Sequence, residues 1–458
     1  MSRDASRRAG GCSGRALSRR AALLAPLLAP LLASGALSGC SSWFGTTKTP
    51  LPGTRLDVLP PERNLTVDTA NTSPIVLPPP RLNRDWPQVG GNPQHHMGPL
   101  AAGTALKLAW RASIGEGASY RRQLTAQPIV AGGNVFTMDA AGVVRAFRLA
   151  DGSRLWRFNT KAKKDRSEEL GGGISFDQGV LYAATGRAEV VAIDAARGVL
   201  RWRRTIGAPA RAAPTISDGK LFVPTIAAQL LALDAAGGKQ LWSYQGRPAL
   251  VGLLGEPSPA IGNGLVIAGF ASGELTALSS DTGTVQWSDN LGAVLGAASP
   301  ADLSAVHALP VVDGSEVYAI SMGQVLVAED IHSGRRVFYL DVAGSETPSV
   351  AGDWVFLLTA DQHLAAIQRE VGLVRWITVM PLFTNPKHER GPILWHGPLL
   401  AGGRLLLAGE NGELATVAPE TGKILDRARL PGPAAQAPIA ADGTVLVLLR
   451  DGTLTAWR

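Results

Sequence analysis

The chain has 458 residues, 45% of them hydrophobic and only 18% charged, with 53 glycines and few aromatics. That balance excludes a disordered chain and a helical bundle, and it favours many short strands joined by tight turns. The formal charge of +7 resides mostly in residues 1–39, where Arg3, Arg7, Arg8, Arg15, Arg19 and Arg20 stand against Asp4. The remainder has no basic stripe of the kind that nucleic acid requires, so no nucleic-acid partner is expected.

In chain order, residues 1–20 are polar and Arg-rich, and Ala21 to Leu37 are almost wholly apolar. These are the parts of a secretory signal. Pro26 and Pro30 interrupt the apolar stretch, which is short for a transmembrane helix. Leu37-Ser38-Gly39-Cys40 resembles the lipobox of bacterial lipoproteins. The resemblance implies that residues 1–39 are removed and that Cys40 is acylated. Ser41 follows where an Asp would signal retention in the inner membrane, which points to the outer membrane. Ser18-Arg19-Arg20 is a weak echo of a twin-arginine signal, with Ala22 and Leu24 departing from it. Cys12 and Cys40 are the two cysteines, so the body has neither a disulfide framework nor a thiolate metal site. Residues 40–85 contain Pro60-Pro61 and Pro78-Pro79-Pro80 without strand periodicity, and they are expected to form an extended, lipidated tether.

From residue 86 the chain repeats. Gly142-Val143-Val144-Arg145-Ala146-Phe147 leads to Gly152 and Trp156, and Glu189 to Asp194 leads to Gly198 and Trp202. Gln229 to Asp234 leads to Gly238 and Trp242, and Gly273 to Leu278 leads to Gly283 and Trp287. Weaker copies place Gly334 before Phe338, Gly372 before Trp376 and Gly422 before Asp426, the last without its aromatic. Successive glycines are 46, 40, 45, 51, 38 and 50 residues apart, the period of a four-stranded antiparallel propeller blade. Glycine supplies the positive φ of a tight hairpin, and the tryptophan falls on the following strand, where it can pack between blades. Asp451 to Trp457 copies the first half of the unit and then the sequence stops, whereas Leu106 to Arg111 reads as a last strand with nothing before it. Joined, they make an eighth blade. The expected fold is therefore all-β, an eight-bladed propeller over 86–458 closed by pairing N- and C-terminal strands.

The Ala-Leu-Asp, Thr-Gly and Trp elements resemble the quinoprotein-type (PQQ-like) repeat. Together with the lipobox they make the chain resemble the BamB family of outer-membrane protein assembly factors. Trp86 to Asn92 and Ser272 to Leu275 are similar to alphaproteobacterial members. The resemblance implies a non-enzymatic scaffold on the periplasmic face of the outer membrane, binding the POTRA domains of the barrel insertase and aiding barrel insertion. Unfolded outer-membrane proteins are a further implied partner. It implies a contact loop at Val251, Leu253, Leu254, Gly255 and Glu256, in which Leu254 stands where the family has Arg. A second implied stretch aligns with Leu303, Ser304 and His307, and lacks the two family Asp residues. An ordinary inter-blade connection is the plain alternative for the first loop.

Two other classes stay open: a PQQ-dependent quinoprotein dehydrogenase, and a scaffold for another envelope process. The similar dehydrogenases carry an adjacent cysteine pair that the body lacks. No Gly-x-Ser-x-Gly elbow is present, no histidine has a ligand partner at metal spacing, and no catalytic residue, metal or cofactor is assigned. His95-His96 is read as a solvated loop, and Lys161 to Glu169, with both charge signs, as a solvated hairpin loop.

Overall fold

A computed structural model describes residues 65–162, 171–249, 257–292, 304–323 and 325–458, all of them in the unit Pro61–Arg458. Eight four-stranded antiparallel sheets follow one another along the described residues. Blade 1 consists of Ile129–Ala131, Asn134–Met138, Val143–Arg148 and Arg154–Asn159. The innermost strands of blades 2 to 7 are Gly172–Asp177, Thr215–Ser217, Ala260–Gly262, Val311–Asp313, Ser349–Ala351 and Trp395–Ala401. Blade 8 is composite, as the repeat predicts. Ile439–Ala441, Thr444–Leu448 and Thr453–Trp457 are completed by the N-terminal strand Leu108–Ser113, with Leu108 opposite Trp457 and Ser113 opposite Thr453.

Antiparallel geometry gives the ring two unlike faces. The first-to-second and third-to-fourth turns emerge on one, here the turn face. The second-to-third turns and the links to the next blade emerge on the other, the connection face. One link carries an extra hairpin, Phe383–Asn385 with Arg390–Pro392.

The recurrent glycine and aromatic meet across blade seams. Gly152 has φ +71°, and a Cβ there would lie 2.5 Å from the Trp110 ring of blade 8. The same contact recurs as Trp156 with Gly198, Trp202 with Gly238, Trp242 with Gly283, Trp287 with Gly334, Phe338 with Gly372, and Trp376 with Gly422. Each indole N–H donates to the carbonyl three residues before that glycine, for example Trp156 to Ala195 at 2.9 Å and Trp287 to Ile331 at 2.7 Å. A small residue makes room on the neighbouring strand: Ala146 opposes Trp156, Ala232 opposes Trp242 and Ala366 opposes Trp376, each beside a β-bulge. A bulge re-aims the strand locally, and here it turns the indole towards the next blade.

The stretch expected to run free to Asp85 is held on the ring from residue 65 onward. Asp68 N–H donates to the Val374 carbonyl, Ile75 is buried, and Asn83 donates to the Ala440 carbonyl.

Candidate functional site

Cys40, Val251, Leu253, Leu254, Gly255, Glu256 and Leu303 lie outside the described residues, as do 163–169 of the mixed-charge stretch. The residues flanking them show what holds the two implied contact loops in place. The first links blade 3 to blade 4 and the second links blade 4 to blade 5, and their described ends meet at the second-to-third turn of blade 4, Phe270 to Glu274, on the connection face.

On one side, Gly246 packs so tightly on the Phe270 ring that a Cβ would approach to 2.9 Å. Buried Glu274 anchors the outgoing chain by accepting the Arg247 N–H at 2.8 Å. The same carboxylate accepts the Tyr244 hydroxyl at 2.5 Å and the Thr276 hydroxyl at 2.9 Å. Burial, and then this bond to Glu274, hold the Tyr244 hydroxyl above its ordinary pKa, so it remains a donor. Arg247, Pro248 and Ala249 are exposed immediately before the first loop, and Ile226 is exposed in the second-to-third turn of blade 3.

On the other side, Gly273 (φ +86°) touches Gly292 and the Ser304 carbonyl, the two described ends of the second loop; a Cβ would lie 2.9 Å from each. Leu291 N–H donates to the Gly273 carbonyl at 2.7 Å, and Ser321 Oγ donates to the Leu291 carbonyl at 2.6 Å. Within the second stretch Ala305, Val306 and Ala308 are buried, with Val306 against Gly269, so Ser304 and His307 are the partly exposed residues. Sequence reasoning thus named two loops, and the structure brings their bases to one turn. It missed Glu274, Phe270 and Tyr244, which do the positioning; the Glu beside the turn glycine was visible, but nothing local marked it as an anchor.

The blade 4–5 seam below this rim is charged. Arg336 pairs with Asp289 at 2.7 Å and lies 3.8 Å from the wholly buried Glu329. Burial first, and the neighbouring Asp289 second, push the Glu329 carboxyl up to about 9, so it is neutral at pH 7. At this point a single arginine therefore faces a single carboxylate.

The ring axis also holds a cavity of about 100 Å³, lined by Trp86, His95, Gln127, Glu346 and Pro398, among others. His95 and His96 do not form a solvated loop. His95 is buried, shares a hydrogen bond with the Pro310 carbonyl at 2.8 Å, and burial pulls it down to about 4. His96 bonds the Val350 carbonyl and pairs with Asp313 at 3.2 Å. Nearby His396 pairs with Glu346 at 3.0 Å; burial opposes its charge, but Glu346 and Glu410 carry it up to about 10. Among the described residues no group of His, Cys, Asp and Glu could hold a metal ion.

A family model described as "Outer membrane protein assembly factor BamB" matches residues 140–378 and 384–457. The chain is 28% identical over 353 residues to the outer membrane protein assembly factor BamB of Salmonella typhimurium, covering 76% of this chain and 87% of that relative. Its structure is similar to the crystal structure of BamB from Moraxella catarrhalis, with TM-score 0.66 and 22% identity over 77% of this chain and 100% of the other. It is similar also to quinohemoprotein alcohol dehydrogenase from Comamonas testosteroni, with TM-score 0.64 and 15% identity over 82% and 80% of the two chains. At these identities both structural likenesses concern the fold alone.

Proposed function

This chain belongs to the outer membrane protein assembly factor BamB family, and on that premise we propose that it is a scaffold subunit of the machinery that inserts β-barrel proteins into the outer membrane. The proposed partner is the periplasmic POTRA region of the barrel insertase, met by the rim around the blade 4 turn. The observation that carries the reading is that the chain flanking both implied loops is held at one turn, Phe270 to Glu274, through Arg247 on Glu274 and through Gly292 and Ser304 on Gly273. A preset turn with exposed Arg247 bonded to it offers a pre-organised surface, which lowers the ordering cost of association.

Removal of residues 1–39 and acylation of Cys40 belong to the same proposal and place the ring on the periplasmic face of the outer membrane. The Pro-rich residues after Cys40 then serve as the proposed tether. The kinship with alphaproteobacterial members, read from Trp86 to Asn92 and Ser272 to Leu275, is part of this reading too. Unfolded barrel proteins are proposed as a second, weaker class of client.

The test is affinity purification of the tagged full chain from detergent-solubilised envelopes, with mass spectrometry of the bound proteins. Recovery of the POTRA-bearing insertase as the dominant partner supports the reading, and its absence under gentle conditions rejects it. The double variant Leu253→Asp, Leu254→Asp is expected to lose the insertase while keeping its thermal midpoint; unchanged recovery would reject the loop as the contact.

A further inference from the structure

The residues that precede the closing strand make one complete circuit of the ring axis, touching the innermost strand of each blade in turn. The circuit starts at blade 8, where Asn83 Nδ2 donates to the Ala440 carbonyl at 2.7 Å. Trp86 then exchanges two backbone hydrogen bonds with Val130 of blade 1, and the Pro87 carbonyl accepts from Phe176 of blade 2. Gln88 Oε1 accepts the Ile216 N–H of blade 3 at 2.9 Å. The Pro93 and Gln94 carbonyls accept from Ile261 of blade 4 and Val312 of blade 5. His96 bonds the Val350 carbonyl of blade 6, and Leu100 pairs with blade 7 through the Leu400 carbonyl and the Gly402 N–H. At Ala102 the strap is back on blade 8, bridged to Gly443. Its two ends are tied to each other: Arg81 N–H donates to the Pro99 carbonyl and the Arg81 carbonyl accepts from Ala101.

The circuit stands directly before the strand whose loss would open the ring. Leu108–Ser113 closes the propeller, and it is held to Thr453–Trp457 by pairing with no covalent turn between them. Tension applied at Leu108 would peel that pairing one residue at a time from its free end. In this chain tension on the N-terminal side arrives first at residues 65–80, which lie against blades 5 and 6. There Asp68 donates to the Val374 carbonyl, Arg375 donates to the Ser73 carbonyl, and Gly352 packs on Pro78. Next it meets the self-tied strap, whose hydrogen bonds are spread over eight blades.

We propose that residues 81–107 are a clasp that takes up tension from the N-terminal tether and keeps it off the closing strand. The source of that tension rests on the membrane-anchored reading above, but the mechanical protection does not. The clasp also satisfies backbone groups on the inner strands that would otherwise line the axis unpaired. It therefore stabilises the non-covalent closure within blade 8 and lines the axis with the chain's own residues.

The test is mechanical and uses the full chain, unacylated, with Cys12→Ser so that Cys40 is the one native handle. The molecule is held at constant force between Cys40 and Arg458, and in a second form (Cys40→Ser, Leu106→Cys) between residue 106 and Arg458. Loading through Cys40 is expected to lengthen the lifetime before ring opening at least about tenfold, the effect of one or two net hydrogen bonds in the barrier. Equal lifetimes, or a shorter one through Cys40, would overturn the clasp. Neither result bears on insertase binding, so failure here is distinct from failure of the functional reading.

Discussion

Seven of the eight blade seams are built alike, and the seam between blades 7 and 8 is not. In the seven, a positive-φ glycine on one blade receives the aromatic of the blade before it, at a distance that no side chain would permit. At the eighth, blade 7 presents Asp426 opposite Thr416, where the other blades present Trp, or Phe338 in blade 5, opposite Ala. The receiving blade explains the loss. Blade 8 has no turn between its third and fourth strands, because its fourth strand, Leu108–Ser113, precedes blade 1 in sequence and is paired with Thr453–Trp457 across the ring closure. Without a turn there is no glycine platform, and without the platform an indole on blade 7 has nowhere to stack. The seam is held by other means: Leu100 bonds Gly402, Arg404 donates to the Gly103 carbonyl at 2.9 Å, and Arg450 pairs with Glu410 at 2.9 Å. The aromatic and the glycine of a repeat therefore belong to different seams, and each is retained only where its partner in the adjacent blade exists.

The comparison breaks most sharply at Trp287. Trp287→Ala removes a buried indole and leaves the Ile331 carbonyl without its donor, and is expected to cost about 3–5 kcal/mol. Asp426→Ala, at the same place in the repeat, is expected to change stability by no more than about 0.5 kcal/mol. Urea denaturation midpoints of the two variants decide this, and similar losses would refute the division between seams. Next in size is Gly283→Ala, where the new Cβ would lie 2.6 Å from the Trp242 ring at φ +72°. Strain and clash together should cost about 2–4 kcal/mol, whereas Gly443→Ala, with φ +69° and open space around it, should show the backbone part alone, about 1 kcal/mol.

Much of this was legible because the repeat writes its own geometry. The Gly-to-Trp offset located the third-to-fourth turn of each blade, and the truncated copies at Leu106 and Asp451 gave the composite blade. The strap was not legible. Its partners are backbone groups of strands far away in sequence, and its own residues, Trp86 to Ala102, have no periodicity to betray them. One signal was present and went unused. Pro128, Pro214, Pro259, Pro310, Pro348 and Pro438 each stand directly before an innermost strand. A residue without an N–H suits the start of a strand whose edge faces the axis, so these prolines mark the axial ring. At the candidate rim the anchoring glutamate, Glu274, looked like one more polar residue beside a turn, since burial cannot be read from a single position.

Two histidines near the axis, His95 on the strap and His396 on the innermost strand of blade 7, should also titrate in opposite directions. Buried His95 has its folded pKa lowered to about 4, so its contribution is complete above the unfolded value near 6.5 and is lost as pH falls from there to about 4. His396 has its folded pKa raised to about 10, so its contribution is complete below 6.5 and is lost as pH rises to about 10. His95→Gln is expected to flatten the acid limb of a stability–pH profile by up to one proton, and His396→Gln the alkaline limb by the same slope. If either variant altered the other's limb instead, the assignment of charge states at the axis would be wrong.

The smallest effect comes from the one aromatic seam that is incomplete. Phe338 fills the indole's place between blades 5 and 6 and packs on Gly372, but it has no N–H to offer. Where the other seams place an accepting carbonyl three residues before the glycine, this one has Arg369. The Arg369 side chain is already engaged with Asp313 and Glu316 at 2.6 and 2.9 Å, which fixes the loop in which that carbonyl sits. Phe338→Trp therefore adds a donor to a site already shaped for it, and a gain of about 1 kcal/mol is expected, the net worth of one hydrogen bond. The same substitution at the eighth seam, Asp426→Trp, finds neither glycine nor carbonyl and should bring no gain. If both variants were stabilised equally, added apolar area alone would account for the aromatic seams, and the hydrogen bond across them would contribute nothing.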